Sequence, residues 1–131
     1  MQTVGLTAIV EKLKLKNLTP EVDMTEIVIT TPNINRPALQ LAGYFDHFAS
    51  DRVQIIGYVE YTYLKHLTAE QRVPIYEKFL SSEIPCVIFS SRTEPDDEFL
   101  RLAIKYNKPL LASEQETSPF MAECIRALST M

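Results

Sequence analysis

Five residues stand where a ligand could be gripped: Thr30, Asn35 and Arg36 in one irregular stretch, Ser90 and Arg92 in another. Each group follows a run that reads as a strand. In open parallel sheets, ligands bind beyond the carboxyl ends of the strands, where the N-termini of the following helices also point. Two arginines among hydroxyls and amides there suit an anion. Arg36 is the sharper of the two, because Pro32 precedes it and Pro37 follows it. Proline restricts its own backbone and that of the residue before it, so Arg36 is pre-aimed, either at a ligand or at carbonyls of the next loop. The alternative is that the hydroxyls cap helices and the arginines are solvated. Thr31, Gly57, Tyr58, Ser91 and Ser113 occupy similar strand-end positions. Asp46-His47 could form an aspartate-oriented acid/base pair, or simply shape a turn.

No catalytic motif supports anything stronger. The glycines are Gly5, Gly43 and Gly57, so neither GxxxxGK[ST] nor GxGxxG can be written. HExxH, CxxC and GxSxG are also absent. With only His47 and His66, a multi-histidine metal site is excluded, and His66 beside Lys65 reads as surface. We therefore expect no catalytic residue and no metal or cofactor in this chain. Cys86 and Cys124 lie in apolar contexts and read as two buried thiols, which suits a reducing cytosol.

The 131 residues suit one domain, and 46% apolar content against 23% charged gives it an ordinary core. The net charge is -4 with both signs dispersed, which argues against nucleic-acid binding. Lys12, Lys14 and Lys16, the densest basic cluster, read as the solvated end of a helix and strand. There is no signal-peptide pattern and no apolar run near the ~20 residues of a membrane span, so the expected location is the cytoplasm.

The elements that must position these residues follow from periodicity. Leu6, Ile9, Val10 and Leu13 mark a one-sided helix with Thr3 as its expected cap. Lys14–Leu18 and the β-branched run Glu26–Thr31 read as strands, and the stretch 33–51 as irregular. Val53–Ile56 is a buried strand ended by Gly57, and 60–67 has weak helical character. Thr68-Ala69-Glu70-Gln71 is a capping box opening a helix to Leu80, with a kink or restart expected at Pro74. Cys86–Phe89 is a buried strand. A helix then starts at Thr93-Glu94-Pro95-Asp96 with Phe99, Leu102, Ala103 and Tyr106 inward. Leu110–Ala112 is the last strand. The final helix begins at Ser118-Pro119 with Met121, Cys124, Ile125 and Leu128 inward. This alternation predicts an α/β fold with a mostly parallel sheet flanked by helices.

The string Asn-Ile-Asn-Arg-Pro-Ala-Leu-Gln-Leu-Ala-Gly-Tyr-Phe-Asp-His-Phe from Asn33, followed by Arg52-Val-Gln-Ile-Ile-Gly, resembles the N-terminal domain of bacterial HPr(Ser) kinase/phosphorylase. Glu83-Ile-Pro-Cys-Val-Ile and Pro109-Leu-Leu resemble the same family, and the likeness spans the whole chain. Ala38 departs from it, since the family pattern has glycine there, which leaves the local turn open.

The resemblance implies a parent enzyme that phosphorylates a serine of the phosphocarrier HPr with ATP and Mg2+ and reverses this by phosphorolysis, in carbon catabolite repression. Its phosphate loop and catalytic residues would lie in a C-terminal kinase domain absent from this chain. No catalytic residue is carried over. The implied role is a non-catalytic regulatory or assembly domain. Its partners would be its own kinase domain, other protomers of a hexamer, HPr as the parent's substrate, and a phosphorylated metabolite. The family's N-terminal domain is similar to the uridine-nucleotide-binding N-terminal domains of muramyl-peptide ligases. Their Ser-Arg followed by Gly and Phe is echoed by Asn35-Arg36, Gly43 and Phe45. Two alternatives stay open. One is a free-standing domain binding a nucleotide or sugar phosphate. The other is a stand-alone enzyme using Asp46 and His47.

Overall fold

The structure is a computed structural model that describes residues 3–131. In chain order the elements are β1 (Val4–Gly5), α1 (Leu6–Leu13), β2 (Lys16–Asn17), β3 (Val28–Ile29), β4 (Ile34–Asn35), α2 (Ala38–Leu41), β5 (Val53–Ile56), α3 (Tyr58–Lys65), α4 (Ala69–Leu80), β6 (Val87–Phe89), α5 (Asp97–Lys105), β7 (Leu110–Ala112) and α6 (Thr117–Thr130). Five strands form the main sheet in the order β2-β7-β6-β5-β4. The pairs from β4 to β7 are parallel, and β2 closes the other edge antiparallel to β7. The mostly parallel α/β architecture expected from the alternation of elements is therefore present.

The central strands carry apolar side chains on both faces, as a sheet covered on both sides requires. Ile55, Cys86, Ile88 and Leu111 face Leu6 and Ile9 of α1 and Phe120, Cys124 and Leu128 of α6. Ile56, Val87, Phe89 and Leu110 face α2 to α5 through Leu41, Leu64, Tyr76, Phe79 and Phe99. Every crossover from β4 to β7 thus runs over one face, and α6 crosses to the other.

Several boundaries differ from the sequence expectation. The run Glu26–Thr31 shortens to β3, which pairs with β1 in a separate antiparallel ribbon. β4 and α2 lie inside the stretch read as irregular, because two and four residues are too short to show a period. Gly5, not Thr3, caps α1. Pro74 sits within a helix assigned continuously over α4, and the Glu70 residue whose carbonyl it leaves unbonded is exposed to water. The capping box at Thr68 is formed in both directions, by Thr68 Oγ1 with the Gln71 N–H at 3.2 Å and Gln71 Oε1 with the Thr68 N–H at 2.8 Å. Asp96 caps α5, so Pro95 precedes the cap. α6 starts at Thr117, and Phe120 faces the core while Ile125 is exposed. Ala38 is the first residue of α2, a conformation open to any residue, so glycine is not needed there. Gly43 does need its freedom, with φ at 98° where the chain leaves α2.

Candidate functional site

The carboxyl ends of β4, β5 and β6 meet the N-terminus of α6 in one corner. Arg36 leaves β4 and grips Glu60 with two bonds, Nε to Oε2 at 2.9 Å and Nη2 to Oε1 at 2.6 Å. Glu60 is only 2% exposed and Arg36 33%. Glu60 sits in the first turn of α3, where the helix dipole favours a carboxylate, and its Oε1 also accepts the Gly57 N–H at 2.9 Å. The bidentate pair is therefore a lock between β4 and α3. Gly57 permits it. A Cβ there would come within 2.7 Å of Arg36 Nη2 and 3.1 Å of Thr117 Cγ2.

Next to the lock is a hydroxyl knot. Ser90 is fully buried and its Oγ donates to the Ile56 carbonyl at 2.9 Å. It also shares a bond of 2.8 Å with Thr117 Oγ1. Ser91 Oγ accepts the Thr117 N–H at 3.0 Å, and the Ser91 N–H donates to the Gln115 carbonyl at 2.7 Å. Ser91 and Arg92 both take left-handed backbone, with φ of 55° and 59°. Such positions cost non-glycine residues about 1–3 kcal/mol each. The knot to Thr117 and Gln115 is what holds the loop there.

The five residues singled out from the sequence are not brought into one site. Thr30 is exposed and follows β3, so it feeds the amino end of β4, away from the carboxyl ends. Asn35 is committed inward, its Nδ2 donating to Gln54 Oε1 at 2.7 Å and Gln40 Oε1 at 3.3 Å. Arg36 lines a shallow cleft of about 220 Å3 with Tyr58, Ser91 and Thr117. Arg92 is exposed and lines a different groove, of about 780 Å3, with Lys12, Lys14 and Lys16. The groove lies where the connections after β6 and β7 depart to opposite faces of the sheet. The two arginines therefore do not clamp one anion. The Ser90 hydroxyl is engaged within the protein, by the Ile56 carbonyl and Thr117 Oγ1, and caps no helix.

The remaining candidates settle as follows. His47 is exposed with φ at 59°, and no hydrogen bond joins it to Asp46, so the pair shapes a turn. His66 is exposed at the end of α3. Cys86 and Cys124 are buried, free, and packed in the same core. Burial pushes both thiols up, Cys124 to about 12. Among the described residues no group of three or more His, Cys, Asp or Glu could hold a metal ion, and no helix is long and apolar enough to cross a membrane.

Two polar assemblies were not anticipated. Gln54, fully buried in the middle of β5, donates to the Arg52 and Ala49 carbonyls at 2.8 and 3.1 Å while receiving Asn35. On α4, the buried Tyr76 hydroxyl donates to Asp96 Oδ2 at 2.5 Å, and Arg72 Nη2 donates to Glu98 Oε1 at 3.1 Å. Burial, and then the bond to Asp96, raise the Tyr76 hydroxyl above its usual range. A polar residue within an apolar strand is the only sequence signal for the first. The second joins positions 20 and 26 residues apart and has none.

A family model described as HPr Serine kinase N terminus matches residues 4–128. The HPr kinase/phosphorylase of Lachnoclostridium phytofermentans is 47% identical over 128 residues, covering 98% of this chain and 41% of that protein. That of Caldicellulosiruptor bescii is 45% identical over 119 residues, covering 91% and 38%. The chain thus spans about two fifths of the length of these relatives. Among solved structures, the CBS and DRTGG domains of the regulatory region of Clostridium perfringens pyrophosphatase, complexed with the activator diadenosine tetraphosphate, superpose with a TM-score of 0.58. At 17% identity, covering 92% of this chain and 45% of that one, this shows a shared fold. The chain belongs to the HPr serine kinase N-terminal family.

Proposed function

We propose that the chain is a non-catalytic regulatory or assembly domain of an HPr kinase/phosphorylase, one that adds phosphate to a serine of HPr and removes it. The observation that carries this reading is 47% identity across 98% of this chain to a protein of that name, in a chain with no phosphate loop. A triphosphate with Mg2+ needs a glycine-rich backbone cradle and a lysine, and the three glycines here lie in a ribbon, a helix end and the Arg36 corner. ATP and Mg2+ would therefore be held by the rest of the parent, as would HPr. The domain's partners would be that kinase domain and further protomers, in a cytoplasmic assembly.

The fold it shares with a regulatory region supports the regulatory reading in architecture alone. A uridine-nucleotide role, by likeness to muramyl-peptide ligases, would place an anion at Arg36. That ligand would have to share the guanidinium with Glu60.

The test is to delete the matching residues from the Lachnoclostridium phytofermentans enzyme. The expected result is that phosphorylation and phosphorolysis of HPr persist, while effector response or assembly size changes. Loss of all chemistry in a truncated enzyme that keeps its fold, or no change in any of these properties, would overturn the reading.

A further inference from the structure

The open groove of about 780 Å3 beside Arg92 lies at a switch in the main sheet. The chain leaving β6 covers one face as α5, and the chain leaving β7 covers the other as α6. The parting leaves a crevice beyond two adjacent parallel carboxyl ends, the position where open α/β sheets bind ligands. Its volume is that of a small-molecule site.

Four cations border the groove: Lys12 near the end of α1, Lys14 just after it, Lys16 in β2 and Arg92 after β6. None forms an ion pair among the described residues, although Glu94, Glu114 and Glu123 line the same groove. Lys14 and Arg92 also stand on left-handed backbone, with φ of 54° and 59°. Glycine takes such positions without strain, and the turn after a helix is its usual place. Both side chains are exposed, so packing does not account for a cation at either position. At the carboxyl end of β7, Ser113 lines the groove and is only 9% exposed. Its Oγ accepts the Gln115 N–H at 3.2 Å, and its O–H donates to no acceptor among the described residues.

A buried hydroxyl donor beside four unpaired cations suits a group that only accepts and carries more than one negative charge. A phosphate monoester is such a group. Among the described residues, no aromatic ring lines the groove to stack a base. Glu123 is held by Gln115 Nε2 at 2.9 Å, which leaves the exposed Glu94 and Glu114 as acceptors for hydroxyl groups.

We propose that this groove binds the phosphate monoester of a small polyol. The phosphate meets the Ser113 hydroxyl, Arg92 and Lys14, and the polyol hydroxyls meet Glu94 and Glu114. This goes beyond the regulatory reading and does not rest on it, because binding is measured on this chain alone.

The test uses the full 131-residue chain, labelled with nitrogen-15 and titrated with ribose 5-phosphate and sn-glycerol 3-phosphate. Saturable shifts are expected at the Arg92, Ser113 and Gln115 amides. Ribose and glycerol should produce none, and inorganic phosphate should bind roughly ten-fold more weakly. Arg92→Gly and Lys14→Gly relieve the left-handed backbone and so keep the fold. Each should weaken binding of the esters roughly ten-fold. No saturable shift with either ester overturns the proposal. Equal binding by inorganic phosphate does so as well, since it marks an adventitious ion only. Undiminished binding by both glycine variants also overturns it.

Discussion

The two faces of the sheet are built differently. Under α1 and α6 the packed core is apolar, and its buried polar contact is at the rim, where Ser90 meets Thr117 at the start of α6. Under α2 to α5 the layer also holds buried polar groups: Gln54 with Asn35, Glu60 with Arg36, and Tyr76 with Asp96. The first face can be explained by burial alone. The second must satisfy each polar group it hides, and unsatisfied ones are expensive. A face built only for stability has no need of such groups. A half-open pocket of about 270 Å3 between α3, α4 and the start of α5 also lies on this second side, beside the ion pair of Arg72 with Asp96.

The contrast can be broken by substitution, from the largest effect to the smallest. On the apolar side, Phe120→Ala should cost about 3–5 kcal/mol in chemical denaturation, because the ring is fully buried and leaves a cavity. On the polar side, Arg36→Ala should cost about 3 kcal/mol, since it strands a carboxylate that is 2% exposed. Adding Glu60→Gln should recover part of that loss, and a double mutant no more stable than the single would show that the pair is not the lock described. Tyr76→Phe should cost about 1–2 kcal/mol through Asp96 alone.

The thiols sharpen the comparison through pH. Their folded pKa values lie above the usual 9.0, so the folded chain prefers them protonated. That stability is complete below pH 9.0 and is lost as pH rises toward about 12. Each thiol should remove up to about 1.4 kcal/mol per pH unit in that window. Cys124→Ala should flatten the alkaline limb of a urea-denaturation series. An unchanged limb would show that Cys124 does not contribute to it.

Legibility in the sequence followed the same division. The apolar strands β5 and β7 coincide with the reading, because continuous apolar runs closed by Gly57 or opened by Pro109 leave little freedom. Glu26–Thr31 showed strand chemistry but could not show its partner, so β3 was expected in the wrong sheet. β4 was too short to register. Arg36 was recognised as pre-aimed by its prolines, yet its partner lies 24 residues on, across another strand. Local pattern carries burial well. It does not carry which polar side chains meet, and on the second face that is most of what matters.

The proposed regulatory role leaves phosphoryl chemistry to the rest of the parent enzyme. Incubating this chain with HPr, ATP and Mg2+ and then mapping HPr by mass spectrometry tests that directly. The account predicts unmodified serine on every HPr molecule at times when a full-length relative has finished the reaction. Phosphoserine formed by the purified chain would contradict it.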